Sequence, residues 1–164
     1  MNGNCHFMFG ASVSACACMH MHADLSLTVL TVSTCLIGSI FPDIDNPDSS
    51  FGHMTKPLST VIGKVSEVFG KTGSNHRGLF HDFGLHLAGF VLSCLFCPSL
   101  MFFFAGTLSH LFLDMFNPSG IPVLFVTKCR IGNVRSGDTA SAVLTAILAS
   151  IILAIGIIYG LIIR

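Results

Sequence analysis

The chain has 164 residues, of which 52% are hydrophobic and 10% charged, with a formal net charge of zero and a mean hydropathy of +0.78. One domain's length at that hydropathy excludes an ordinary soluble globular protein and points to a polytopic membrane protein. A neutral chain with a pI of about 7.1 also lacks the basic footprint that nucleic acid requires.

In chain order, residues 1–6 carry no Lys or Arg, so the basic start of a signal peptide is missing. A first apolar segment over 6–19 contains small residues (Gly10, Ala11, Ser12, Ser14) of the kind that let helices approach closely in lipid. His20-Met21-His22-Ala23-Asp24 breaks it. A second segment over 25–41 stops at Pro42-Asp43-Ile44-Asp45-Asn46-Pro47-Asp48, whose prolines and aspartates cannot continue a lipid-facing helix. Over 55–70, Val61, Ile62, Val65, Val68 and Phe69 recur at helical spacing among Lys56 and Lys64, the pattern of an amphipathic helix lying on the bilayer surface. Asn75-His76-Arg77-Gly78-Leu79-Phe80-His81-Asp82 follows, the densest polar chemistry in the chain. It opens onto apolar segments over 83–97 and 99–116, which the break at Pro98 makes a helical hairpin. A polar turn, a basic segment with Lys128, Arg130 and Arg135, and an uncharged run over 139–163, long enough to span alone, complete the chain. Among the seven cysteines, Cys16-Ala17-Cys18 and the one CxxC, Cys94-Leu95-Phe96-Cys97, stand alone inside apolar runs, and all read as small core hydrophobes.

Seven of the eight Lys and Arg fall within 42–77 and 117–138, and the hairpin between those loops puts both on one side, cytoplasmic by the positive-inside rule. The expectation is a single all-α domain of the inner membrane with about five crossing helices, one interfacial helix and the C-terminus outside. This topology brings four helix ends to the cytoplasmic face. His6 opens the first helix, Asp43 and Asp45 close the second, His76 and His81 open the third, and His110 and Asp114 close the fourth. His110 and Asp114 are spaced i, i+4 and share a helix face.

These seven residues are candidate ligands for a divalent cation, with zinc suited to His nitrogen and Asp oxygen, in one to three copies. Carboxylates can bridge ions, and paired metals suit displacement at phosphorus. No serine or cysteine sits in an obvious nucleophile motif, so a metal-activated water acting on a lipid or lipid-linked phosphate is the expected chemistry. Asp43 is the candidate general base, with Asp45 as the alternative. Arg77 is placed to grip a phosphate with parallel hydrogen bonds, and His76 completes the catalytic candidates. Asp82 and His86, also i, i+4, could pair to orient a ligand. His20, His22 and Asp24 fall on the opposite face as a solvated turn, while Asp48 and Asp138 read as turn residues. Two other functions could use the same polar residues: a metal-ion or proton transporter with ligands near the midplane, and a non-catalytic scaffold around a structural metal.

His6-(x)3-Gly10, Gly38-Ser39-Ile40-Phe41-Pro42-Asp43-Ile44-Asp45, His76-Arg77-Gly78-(x)2-His81 and Ser109-His110-(x)3-Asp114-(x)2-Asn117-Pro118-(x)-Gly120 resemble the membrane-bound metal-dependent hydrolase family typified by YdjM. Asn46 and Asp82 depart from the pattern. The resemblance implies a remote kinship with zinc-dependent phospholipase C and the zinc nucleases. It also implies His6, Asp45, His81, His110 and Asp114 as ligands, with Asp43 and His76 as ligands or in support behind them.

Overall fold

A computed structural model describes residues 1–69 and 78–163 of the protein, and 75% of it is helix. Helix α1 (Gly3–Met21) starts where the Asn2 side chain accepts from the Asn4 N–H at 2.7 Å, and it ends at His22 in the left-handed region with φ 50°. Asp24 caps α2 (Leu25–Ile40), accepting from the Leu27 N–H at 2.8 Å. That bond and the Ser26 hydroxyl hold the Asp24 carboxyl below its usual range. A 3-10 turn over Phe41–Asp45, with Pro42 near its start, ends α2. The short α3 (Ser50–Met54) and α4 (Lys56–Phe69) follow. A second 3-10 turn over Leu79–His81 leads to α5 (Phe83–Phe96), and Pro98 then starts α6 (Pro98–Asp114). Strands β1 (Ile121–Val123) and β2 (Thr127–Cys129) form an antiparallel hairpin with Ile121 opposite Cys129. Helix α7 (Thr139–Ile162) closes the chain.

The centre of the bundle is α2 against α6, with α1 packed on both. Missing side chains allow this approach. A Cβ at Gly38 would collide with the Phe103 carbonyl oxygen, and one at Gly106 with that of Cys35. Helix α7 lies on α1 through a face of small residues, Ser141, Thr145, Ala149 and Gly156, and leaves Ile147, Ile151, Ile155 and Ile158 exposed. Exposed apolar residues on α5 (Leu92, Leu95, Phe96) extend the same kind of surface, as expected where lipid is the solvent.

Two helical stretches, Leu25–Asp45 and Thr139–Ile162, are long and apolar enough to cross a membrane. The other apolar segments form shorter or more polar helices than five full crossings require. Helix α1 has 19 residues but carries His6 and His20. Helices α5 and α6 have 14 and 17 residues. At 1.5 Å per residue the latter two reach about 21 and 26 Å, against a hydrocarbon core of about 30 Å.

The structure adds detail at α4 and differs from the sequence reading in the basic segment. In α4 it is Ser59 and Ser66 that are buried, whereas Leu58, Val61 and Val65 point outward. The apolar stripe therefore faces away from the protein, as on a helix that lies on a bilayer. The segment after α6, expected only to be basic, forms the β-hairpin. Leu124 and Phe125 both have positive φ (50° and 58°), a geometry usually left to Gly or Asn. The buried Asp82 holds that turn. Its carboxylate caps α5 at the Leu85 N–H (2.9 Å) and accepts from the Phe125 N–H (2.7 Å). Asp82 therefore does not form the expected pair with His86, whose Nε2 instead meets the Phe80 carbonyl at 2.9 Å.

Replacing Gly106→Ala overpacks the α2–α6 crossing and is expected to cost about 1–3 kcal/mol. Thermal unfolding followed by thiol-reactive dye, which reports exposure of the buried Cys5 and Cys35, should show a lower midpoint than wild type.

Candidate metal centre

Five of the seven candidate ligands converge, although they come from different helix ends. His6 lies in the first turns of α1, Asp43 and Asp45 in the turn after α2, His81 in the turn before α5, and His110 and Asp114 in the last turns of α6. With Asp45 behind His81, six of the candidates are in this cluster. His76 and Arg77, by contrast, lie outside the described residues.

The inner contacts form a closed alternation. Asp43 Oδ1 is 3.8 Å from His81 Nε2 and 3.7 Å from His110 Nε2. Asp114 Oδ2 is 3.9 Å from each of the same nitrogens. Donors 3.7–3.9 Å apart along these four edges are close enough for neighbours to share a cation at the about 2.0–2.2 Å of zinc–nitrogen and zinc–oxygen bonds.

The chemistry of the donors fits a cation. His110 Nδ1 lies 2.8 Å from the Ser39 carbonyl oxygen, which can only accept, so Nδ1 carries a hydrogen and Nε2 presents its lone pair inward in the neutral ring. That Nε2 is buried and has no hydrogen-bond partner among the described residues. His81 places Nδ1 3.5 Å from Asp45 Oδ1, without a made hydrogen bond, and turns Nε2 toward the centre. Two carboxylate oxygens and two imidazole nitrogens thus face one another, a donor set that could hold a cation. The groups His6, His110 and Asp114, and Asp43, His81 and His110, each bring donor atoms close enough that they could hold a metal ion.

The structure separates the two aspartates of the Pro42–Asp45 stretch. The resemblance implied Asp45 as a ligand and left Asp43 open. Here Asp43 is the one in the inner alternation, and the buried Asp45 stands behind His81. Asp45 Oδ2 accepts from Ser66 Oγ at 3.0 Å, and Ser66 Oγ in turn accepts from the Leu79 N–H at 3.1 Å. Orienting a ligand through its far nitrogen is a common role for a carboxylate behind a histidine.

His6 sits on the other side of Asp114. Its ring stacks on that of His110 (centroids 3.7 Å apart, 13° between planes), and its Nε2 is 3.4 Å from Asp114 Oδ1. The same oxygen receives the Met1 amino group and Asn117 Nδ2, each at 2.6 Å. Asn117 and Ser66 were not singled out from sequence. The first stands inside the motif read around His110, whereas Ser66 shows no signal beyond its place on α4.

Asp43 opens the centre to one side. Its side chain is 19% exposed, while those of His81, His110 and Asp114 are at most 3% exposed. It borders a cavity of about 450 Å³ whose walls include His81, Asp114, Asn4, Asn46 and Ser49. Asn46 and Asp48 form its turn, with the Asp48 N–H 3.1 Å from Asn46 Oδ1. The remaining histidines stay apart. His53 is exposed on α3, His86 is fixed to Phe80, and His20 stacks on Tyr159 at the far end of the bundle.

The sequence profile described as YdjM inner membrane protein matches residues 1–162. The chain belongs to this family. It is 31% identical over 141 residues to the inner membrane protein YdjM of Escherichia coli strain K12, covering 79% of this chain and 68% of that protein. It is 30% identical over 134 residues to the uncharacterized protein YvsG of Bacillus subtilis strain 168, covering 80% and 77%. No solved structure matches. The family match spans every residue of the described centre, from His6 to Asn117.

Metal analysis of zinc-loaded, dialysed protein checks the donor assignment. His110→Ala is expected to abolish retention. Ser66→Ala, which removes the hydroxyl holding Asp45, should weaken affinity by about tenfold, the low end for changes behind a ligand. The exposed His53→Ala should bind as wild type.

Proposed function

We propose that this family member is a membrane-embedded, metal-dependent hydrolase that cleaves a phosphoester in a phospholipid or lipid-linked phosphate. The observation that carries this reading is the alternating set of two imidazole nitrogens and two carboxylate oxygens, buried on three sides and open through Asp43 to a polar cavity. Zinc suits the donors. His110 has one nitrogen free for a metal, because the other is committed to Ser39, so one ion is the number that this set supports. When bound, such an ion lowers the pKa of a water and draws charge from phosphoryl oxygens.

The chain's own residues supply the rest. With His81, His110 and Asp114 holding the ion, Asp43, at the cavity wall, is left to accept the proton of the attacking water. Asn4, Asn46 and Ser49 line the same cavity and offer neutral polar groups to phosphate oxygens. Arg77 grips the phosphate and His76 assists, both by sequence position ahead of Gly78. The remote likeness to zinc phospholipases is an analogy in the same direction. In this reading α1, α5 and α6 lie in the bilayer with the two longer helices. That gives five crossings of the inner membrane, with the basic segments and the site on the cytoplasmic side and the C-terminus outside.

The donors lie at helix ends, which argues against a transporter with midplane ligands. One observation favours the structural-metal scaffold: four protein donors suffice to close a tetrahedral ion. The spacing near 3.8 Å and the exposure of Asp43 leave a side open and favour the hydrolase.

The test is turnover of bis(p-nitrophenyl) phosphate and of phosphatidylglycerol by zinc-loaded protein. Chelation should abolish both activities. Asp43→Asn should lower kcat by about 10²–10⁴-fold, as expected for loss of a general base. Retained zinc with no turnover of any phosphoester would overturn the hydrolase in favour of the scaffold.

A further inference from the structure

A second, smaller crevice adjoins the polar cavity. It measures about 170 Å³ and is lined by Gly3, Asn4, Phe7, Ile40, Asp43, Phe51 and Met54. Three of these residues, Gly3, Asn4 and Asp43, also line the polar cavity, so the two spaces meet at Asp43. The change of chemistry across that meeting point is abrupt. On one side stand His81, Asp114, Asn46 and Ser49, and on the other Phe7, Ile40, Phe51 and Met54.

The crevice runs outward between α1, the end of α2 and α3. Phe7 and Met54 at its mouth are 48% and 84% exposed. Met54 is followed directly by α4, whose outward Leu58, Val61 and Val65 form the apolar face of an interfacial helix. The apolar end of the crevice therefore opens next to the surface best suited to lie against lipid.

A molecule that fills both spaces must be polar where it meets the metal donors and hydrocarbon a few ångströms away. We infer that the crevice holds the upper part of one acyl chain of a phospholipid whose phosphate stands beside Asp43. This rests on the hydrolase reading and narrows its substrate to a lipid that enters sideways from the bilayer. At about 30 Å³ per water-sized group the crevice takes about five or six methylenes, and the rest of the chain stays in the membrane.

The experiment uses the purified protein in vesicles of phosphatidylglycerol containing a fraction with a diazirine on one acyl chain. Soluble bis(p-nitrophenyl) phosphate serves as a second substrate. Ile40→Trp fills the crevice, and Met54→Trp obstructs its mouth from an exposed position that folding does not depend on. Photolabel is expected on Phe7, Phe51 or Met54 in the wild type. Both substitutions should cut labelling and phosphatidylglycerol turnover by about tenfold, while the soluble diester is turned over within about twofold of wild type.

Labelling that is spread over α5 and α7 and unaffected by either substitution overturns the crevice. So does phosphatidylglycerol turnover that both variants leave unchanged, a result that keeps the hydrolase. Crevice labelling that both substitutions abolish, in a protein that hydrolyses neither substrate, supports the crevice as a lipid site and removes the hydrolase.

Discussion

The structure depends on how it accommodates carboxylates buried in an apolar bundle. Asp45 and Asp114 are each 2% exposed, and a carboxylate at that depth is tolerated only with partners on its oxygens. Asp45 has Ser66 on one oxygen and His81 beside the other. Asp114 Oδ1 has the Met1 amino group, Asn117 and His6. What faces the centre from the remaining atoms is Asp114 Oδ2, Asp43 Oδ1 and two imidazole Nε2 atoms. These atoms form a donor set that could hold a metal ion. Ser66 pairs with Asp45 Oδ2, and Asn117 and the Met1 amino group pair with Asp114 Oδ1.

Holding four helix ends that close together is a backbone problem before it is a side-chain problem. The His110 ring reaches the Ser39 carbonyl because α2 and α6 nearly touch, with Gly38 against Phe103 and Gly106 against Cys35. The same crossing admits α1, where a Cβ at Gly10 would lie 2.5 Å from that of Ser39. With α1 this close, His6 can stack on His110. Lipid gives apolar side chains little reason to associate, so close contact between small residues carries much of the association. The glycines are therefore part of the site, at one remove.

This division explains what could be read from sequence. Long apolar runs broken by Pro and Asp mark helix ends unambiguously, and the cationic loops assign those ends to one side. The gathering of His6, Asp43, His81, His110 and Asp114 was thus legible. The roles within the gathering were not. Asp43 and Asp45 are two residues apart in a 3-10 turn, where each residue rotates the side chain by about 120°, so the two must point in different directions. Which one faces the centre depends on how the turn leaves α2. The Asp82–His86 spacing suggested a pair, but Asp82 was needed to cap α5 and to hold the Phe125 turn. The β-hairpin itself was hidden, because its turn uses Leu124 and Phe125 where sequence rules look for Asn or Gly. The stripe on α4 was read as the outward face of an interfacial helix, and Leu58, Val61 and Val65 do point away from the protein.

The shortness of α5 and α6 then bears on the chemistry of the proposed site. At about 21 and 26 Å they cannot match a hydrocarbon core of about 30 Å, and a short segment is accommodated by local thinning of the bilayer. If both helices cross the bilayer as proposed, the candidate donors sit at their ends, and thinning there would draw the headgroup layer toward Asp43. On that proposal an interfacial α4, with its apolar face outward, would set the height of the site, and Ser66 ties the helix to Asp45 beside His81. Full-length crossings would leave the donors level with or beyond the headgroups, where a lipid would have to rise out of the membrane to reach them. Short helices let the phosphate meet Asp43 while its acyl chains remain in hydrocarbon, so the same feature that weakens the case for five complete spans suits a hydrolase of membrane lipids.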